Sequence, residues 1–150
     1  MKAATVLFDT QVFITYKSII ASRDIEPDRH SVVVWQELMA GADGGKELKW
    51  METKCKQVEQ DGRLLTPDRE AWMMAGRILY RYLSDLSRQS PARLRPALGH
   101  AEKQNIIRDV LIAVSAKKAG VTVVSDNKDF PTIQRYYDFK WISGREYFGA

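Results

Sequence analysis

The segment Ile106–Phe130, IIRDVLIAVSAKKAGVTVVSDNKDF, restricts the possible folds of this chain more than any other stretch. It predicts an apolar helix that ends at Gly120, a buried strand over Val121–Ser125 and an acidic loop. A helix that leads directly into a short Val-rich strand is typical of α/β domains, in which helices cover both faces of a parallel sheet.

Asp109 is the unusual residue of this helix. At 3.6 residues per turn it lies in the middle of an apolar arc made by Ile106, Ile112, Ala113 and Ala116. The polar face is predicted elsewhere, around Arg108, Ser115 and Lys118. A carboxylate among inward-facing apolar residues costs several kcal/mol unless a partner, a cation or a proton compensates. Asp109 therefore either reaches water at a helix end, where the helix dipole favours it, or belongs to a site.

Two further acids follow or interrupt apolar segments. Ala3–Phe8 predicts a strand buried on both faces, and Asp9 follows its carboxyl end, the edge at which open α/β sheets bind ligands. Asp9 also suits a capping role for the next helix, and the two roles are compatible. Glu37 lies early in the helix WQELMAGA, either as a site residue or as an exposed glutamate favoured by the helix dipole.

The remaining elements complete an α/β pattern. Helices are predicted over 11–21, 46–60, 67–86, 105–119 and 131–137, and further short strands over 31–34, 63–66 and 139–142. Thr66 is predicted to cap the third helix, whose core stripe includes Trp72, and Asn105 is predicted to cap the fourth. This order predicts a single three-layer α/β domain over residues 1–150, with a mainly parallel central sheet flanked by helices.

Composition narrows the class of protein and its surroundings. The net charge of +4 is compatible with a nucleic-acid partner, and the long segment Ser87–Gln104, with Arg93 and Arg95, is either a solvated loop or a track for a phosphate backbone. The single cysteine, Cys55, excludes an internal disulfide and suits a reducing compartment. We expect a cytoplasmic protein without a signal peptide or a membrane span.

Oxygen ligands without His or Cys partners favour one kind of chemistry. Asp126, Asn127 and Asp129 follow the strand Val121–Ser125 and add to the acids named above. Ionised carboxylates about 4 Å apart repel by roughly 4 kcal/mol at an effective dielectric constant of about 20, so a cluster needs a cation or a proton. Mg²⁺ or Mn²⁺ prefers such hard ligands, and two such ions about 4 Å apart support phosphodiester hydrolysis.

Four motif-bearing segments carry a family resemblance. They are LFDTQVFI with Asp9, VVVWQELMAGA with Glu37, IIRDVLIAVSAKKAG with Asp109 and VTVVSDNKDF with Asp129. In this order the chain resembles a PIN domain, and within that family the VapC-type toxins of bacterial toxin–antitoxin pairs. The resemblance implies a PIN-type fold and a Mg²⁺- or Mn²⁺-dependent endoribonuclease that cuts structured RNAs such as tRNA or rRNA. It also implies a homodimer and a cognate antitoxin.

The resemblance also implies roles for individual residues. Asp9 and Asp109 would be the main metal ligands, Glu37 a second acidic ligand or a water-positioning group, and Asp129 the fourth acid of the catalytic site. Ser125 would support the site by hydrogen bonding. Asn127 fills a place where Asp is common, so either Asp126 or Asp129 can complete the site.

Two other functions are compatible with parts of this pattern. The altered last motif is compatible with a PIN-like module that binds RNA or a protein without catalysis. A phosphatase that uses Asp9 as its nucleophile is disfavoured, because Gln11 stands where its second acid is expected.

Overall fold

The structure is a computed structural model that describes residues 4–89 and 99–149. Its strands are β1 (Val6–Phe8), β2 (His30–Ser31), β3 (Leu64–Leu65), β4 (Thr122–Val124) and β5 (Trp141–Ile142). Its helices are α1 (Thr10–Thr15), α2 (Lys17–Ser22), α3 (Val32–Ala40), α4 (Gly45–Gln60), α5 (Arg69–Gln89), α6 (His100–Lys118), α7 (Asp129–Gln134) and α8 (Gly144–Phe148).

All strand pairs in the described residues are parallel. Strands β1, β4 and β5 form one sheet in that order, with Val6 opposite Thr122. Strands β2 and β3 form a second pair. The backbone N–H of Arg29 donates to the carbonyl of Val6 at 3.2 Å, which places this pair beside β1. The resulting spatial order is β3–β2–β1–β4–β5, and it confirms the predicted α/β class with a parallel sheet.

Strands β1 and β4 have buried side chains on both faces, which divides the core into two parts. Leu7 and Val123 contribute to the larger core, which they form with side chains from α3, α5, α6 and α7. Val6, Phe8 and Val124 face the opposite way, into a smaller core closed by α1, α2 and α8. The sheet is therefore the middle of three layers, as the unalternating apolar runs predict. Within the described residues, no helix is long and apolar enough to cross a bilayer.

Two predicted elements have different ends in the structure. The predicted helix over 11–21 is two helices that meet at Tyr16. The predicted strand over 31–34 is wrong, because only Ser31 is extended and α3 begins at Val32. The Ser31 hydroxyl accepts from the N–H of Val33 at 3.2 Å, so a side-chain cap starts a helix in a β-branched run.

Helix α5 begins later than predicted and presents a different face. Asp68, not Thr66, provides its cap, since its Oδ1 accepts from the N–H of Ala71 at 2.8 Å. The buried side includes Ala71 and Ala75. Trp72 is 56% exposed, so the prediction that it lies in the core stripe is wrong.

Helix α6 begins at His100, five positions before the predicted cap Asn105. The intervening Ala, Glu, Lys and Gln are strong helix formers, which explains the earlier start. The predicted loop Ser87–Gln104 is therefore helical at both ends, and Arg93 and Arg95 lie outside the described residues. Ser115 is buried and donates to the carbonyl of Leu111 at 2.8 Å, so its predicted place on a polar face is wrong.

Candidate functional site

The carboxyl ends of β1 and β4 meet at the centre of the sheet. The N–H of Asp9 continues the pairing by donating to the carbonyl of Val124 at 3.1 Å. The chain leaves β1 toward β2 on one side, whereas β4 lies on the other. Ligands of open α/β sheets bind in the crevice formed at such a switch point.

Asp9 is held by two hydrogen bonds directly after β1. Its Oδ1 accepts from the N–H of Thr10 at 2.8 Å, and its Oδ2 accepts from the hydroxyl of Ser125 at 2.8 Å. Asp9 is 4% exposed and also occupies the cap position of α1. Burial raises the pKa of Asp9, and the hydrogen bonds from Ser125 and Thr10 offset part of that rise. Asp9 therefore caps α1, as predicted, and its place at the carboxyl end of β1 is compatible with the predicted role in ligand binding.

Asp109 enters the same crevice from α6. It is 6% exposed, which excludes the alternative of a carboxylate that reaches water at a helix end. The side-chain amide of Asn127 donates to Asp109 Oδ2 at 3.2 Å. Burial raises the pKa of Asp109 to about 9, and the charges of Asp9, Asp129 and Glu37 act in the same direction. Without a cation, this acid carries a proton at neutral pH.

A chain of hydrogen bonds shapes the loop after β4. The Ser125 hydroxyl accepts from the N–H of Asn127 at 3.0 Å while it donates to Asp9. Asn127 Oδ1 in turn accepts from the N–H of Asp129 at 3.0 Å, at the start of α7. The same network therefore orients Asp9, Asp109 and the backbone at Asp129.

Glu37, from α3, completes the acidic lining. Burial raises the pKa of this half-buried glutamate, the positive charge of Arg108 lowers it, and the charge of Asp9 raises it. The four acids open into one cavity of about 390 Å³. Its lining is Asp9, Thr10, Gln11, Ile14, Glu37, Asn105, Arg108, Asp109, Asn127 and Asp129. Four acids predicted from separate motifs thus lie around one space.

The two acids of the last motif point to different surroundings. Asp129 lines the cavity. Asp126 is exposed, accepts a hydrogen bond from the Tyr16 hydroxyl and accepts from the N–H of Arg145 at 3.2 Å. Asp126 is absent from the cavity lining, so the geometry favours Asp129 as the fourth acid.

Arg108 lines the cavity although the sequence pattern does not predict it as a site residue. The pattern places it on a polar face of α6, whereas in the structure it is half-buried and its charge lowers the pKa of Glu37. The signal that could have found it is its position beside Asp109. Residues three and four apart on a helix are neighbours, so Asn105, Arg108 and Asp109 lie close together on α6. This holds whether the helix begins at His100 or at Asn105.

The chemistry of this lining suits a hard divalent cation. In residues 4–89 and 99–149, no three His, Cys, Asp or Glu side chains form a group that could hold a metal ion. Mg²⁺ keeps several water ligands and is usually bound through one or two carboxylates and substrate phosphates, so it does not require such a group. Two buried acids, Asp9 and Asp109, each with a raised pKa, provide such ligands.

Comparison with known proteins gives matches in structure. No protein-family model and no curated protein sequence matches this chain. A chain in the structure of VapBC-1 from nontypeable Haemophilus influenzae has a TM-score of 0.52 and 22% identity, with 93% of this chain and 97% of that chain covered. A chain of FitAB bound to an IR36 DNA fragment has a TM-score of 0.54 and 20% identity, with 93% and 94% covered.

A chain of FitAcB from Neisseria gonorrhoeae has a TM-score of 0.51 and 19% identity, again with 93% of this chain and 97% of that chain covered. At these identities the likeness concerns the fold. The chain has the PIN-like α/β fold predicted from its motifs, and it shares that fold over nearly its whole length with chains of the VapBC-1 and FitAB structures.

Proposed function

We propose that this chain is a Mg²⁺- or Mn²⁺-dependent endoribonuclease that hydrolyses RNA phosphodiester bonds, and that it is the toxin of a type II toxin–antitoxin pair. One observation carries the proposal. Asp9, Glu37, Asp109 and Asp129 come from four separate segments and line one cavity at the carboxyl edge of the sheet. Packing alone gives no reason to gather buried carboxylates there, since each costs free energy without a cation or a proton.

The burial and the hydrogen bonds of each residue suggest its role in this proposed site. Asp9 and Asp109 would be the main metal ligands, and Glu37 and Asp129 would act from the rim, either directly or through water. Ser125 and Asn127 hold the two main acids through the hydrogen bonds at 2.8 and 3.2 Å. When bound, a divalent ion supplies positive charge for the scissile phosphate and lowers the pKa of a water molecule.

The proposed partners rest on resemblance. The matched structures are VapBC and FitAB assemblies, and one of them contains a DNA fragment. For this chain we propose a cognate antitoxin, an RNA substrate such as tRNA or rRNA, a homodimeric state and a cytoplasmic location. The net charge of +4 supports an RNA partner.

A second candidate function is a PIN-like module that binds RNA or a protein without catalysis. It is favoured by the absence of a group of three ligating side chains in the described part of the chain, and by Asn127 in the last motif. The four buried or half-buried acids around the cavity count against it, because a degraded site has no reason to keep them buried.

Purified protein incubated with looped single-stranded RNA and Mn²⁺ tests the first proposal. Cleavage is expected with Mn²⁺ and not with EDTA, and Asp9→Ala should abolish it. Asp138→Ala, which removes an exposed carboxylate after α7, is the matched control and should cleave normally. Cleavage by Asp9→Ala at the rate of the unchanged protein would contradict the site. RNA binding without cleavage under all conditions would support the second candidate.

A further inference from the structure

The cavity is lined by four acidic side chains and one basic side chain. Any of these acids that is ionised repels the negative phosphate of an RNA strand. Like charges about 4 Å apart repel by roughly 4 kcal/mol at an effective dielectric constant of about 20. A positively charged side chain in the cavity lining would reduce the repulsion between the acids and the RNA phosphate.

Arg108 is the basic side chain in the cavity lining. It is half-buried, and its Nη2 donates to Oδ1 of Asn105, three positions earlier on α6, which also lines the cavity. In the described residues no carboxylate lies within ion-pair distance of Arg108, although Glu37 is near enough to feel its charge. The guanidinium is thus held by the neutral amide of Asn105, and its charge is not engaged in an ion pair with a carboxylate of the described residues.

This arrangement differs from that of other cations on the surface. Lys118, at the far end of α6, contacts both Asp68 at 2.7 Å and Glu70 at 3.0 Å. Arg63 contacts Glu26 at 3.0 Å. Those cations satisfy local carboxylates, whereas Arg108 donates to an amide oxygen beside four acids with which it makes no direct pair.

We propose that Arg108 binds a non-bridging phosphate oxygen of the RNA strand in the acidic cavity and so positions the strand against the acids. The inference rests on the proposed ribonuclease function and adds a substrate contact to it. A guanidinium suits this role because its fork of N–H groups matches phosphate oxygens in a bidentate way. Asn105 orients the fork, and the remaining N–H groups are left for the substrate.

A purely structural role for Arg108 predicts different behaviour. If the guanidinium only offset the charge of Glu37, its loss would change metal binding and stability but not the affinity for RNA in the absence of metal. If it binds phosphate, its loss weakens RNA binding, reduces the salt dependence of binding and raises KM, and it leaves the stabilisation by metal in place.

The test uses Arg108→Gln, Arg108→Lys and Asn105→Ala in the full chain. Binding of a fluorescein-labelled single-stranded oligoribonucleotide is measured by anisotropy in EDTA, over a range of salt concentrations. We expect Arg108→Gln to raise Kd about tenfold, and to reduce the slope of log Kd against log salt by about 0.7, the value for one contact to single-stranded nucleic acid. Arg108→Lys keeps the charge and should restore most of the slope. Asn105→Ala, an exposed position, should weaken binding less than Arg108→Gln.

Lys117→Gln is the matched control, because it removes one exposed positive charge about 14 Å along the same helix. It should leave Kd nearly unchanged. With Mn²⁺ present, Arg108→Gln should raise KM more than it lowers kcat, and its Mn²⁺-induced rise in Tm should equal that of the unchanged protein.

Equal Kd and equal salt slopes for Arg108→Gln and the unchanged protein would overturn the inference, as would loss of the Mn²⁺-induced rise in Tm. If Arg108→Gln does not fold, Arg108→Met, which removes the charge and keeps the apolar stem, takes its place, and an unchanged Kd and salt slope in that variant overturn the inference. An unchanged protein that neither binds nor cleaves RNA overturns the proposed function and this inference together. Cleavage that does not depend on Arg108 overturns this inference alone.

Discussion

The hydroxyl of Ser125 donates to Oδ2 of Asp9 at 2.8 Å, which joins residues 116 positions apart in the sequence. The bond links the ends of β1 and β4, and the same hydroxyl accepts from the N–H of Asn127. Ser125 is fully buried. One small side chain therefore sets both the position of the first acid and the course of the loop that leads to the fourth.

Ser125→Ala should lower the free energy of unfolding by about 1–3 kcal/mol, because it leaves Oδ2 of the buried Asp9 and the N–H of Asn127 without their hydrogen-bond partner. Urea denaturation at neutral pH measures the loss. Ser22→Ala removes an exposed hydroxyl that donates to Ile19 at 3.2 Å, and it should change stability by less than about 0.5 kcal/mol. Equal stabilities of the two variants would show that the Ser125 bond contributes little.

Asp109→Asn should keep the fold and abolish stabilisation by Mn²⁺. Burial raises the pKa of Asp109 to about 9, so the metal-free protein holds this side chain uncharged and a neutral amide replaces it at small cost. At a hundredfold excess of Mn²⁺ over Kd, the unchanged protein should gain roughly 5–10 °C in Tm. Thermal denaturation with Mn²⁺ and with EDTA measures the difference. A full rise in Tm for Asp109→Asn would exclude Asp109 as a metal ligand.

Asp129→Asn should change the response of Tm to Mn²⁺, whereas Asp126→Asn should change the Tm of the metal-free protein. Asp129 lines the cavity, so its loss should reduce the Mn²⁺-induced rise in Tm. Asp126 binds the Tyr16 hydroxyl and the N–H of Arg145, so its loss should lower Tm in EDTA and leave the Mn²⁺-induced rise unchanged. The reverse pattern would assign Asp126 to the site.

Three of the acids that line the cavity, Asp9, Glu37 and Asp109, could be singled out from the sequence because each ends or interrupts an apolar pattern. Asp109 interrupts an apolar arc, and Asp9 ends an apolar strand, so burial and proximity follow from the periods of helices and strands. The distinction between Asp126 and Asp129 could not be predicted. It depends on Tyr16, which α1 and α2 bring next to the loop, and no local pattern encodes that contact.

Other errors arose where two local preferences compete. Val32, Val33 and Val34 favour a strand by propensity, yet the Ser31 cap and burial against the sheet make them helical. The helical period places Trp72 on one stripe with Ala75, but the buried side of the helix is centred on Ala71 and Ala75, which leaves Trp72 56% exposed. In each case, packing against other parts of the chain determined the outcome.

His30 should make stability fall in mild acid. Its side chain is 3% exposed and packs against the rings of Phe13 and Trp35, whose centroids lie 6.2 and 5.7 Å from its own. Neither ring nitrogen makes a hydrogen bond within the described residues, although Nε2 lies 3.6 Å from Oε1 of Glu26, whose charge opposes part of the pKa shift. Burial, followed by the charge of Arg63, lowers the pKa of His30 from 6.5 to about 4.

Because the folded-state pKa lies below the unfolded value, the unfolded chain binds the proton more readily. The contribution to stability is full above about pH 6.5 and is lost as the pH falls toward 4. The loss should be about 2 kcal/mol at about pH 5 and about 3 kcal/mol at and below about pH 4. His30→Phe preserves the aromatic stack and should remove this part of the pH dependence, measured as the difference in urea-unfolding free energy between about pH 7.5 and about pH 5. The chain has two histidines, and His100→Gln, at the exposed start of α6, should retain the dependence. If the His30→Phe protein lost as much stability on acidification as the unchanged protein, the acid sensitivity would belong to the carboxylates instead.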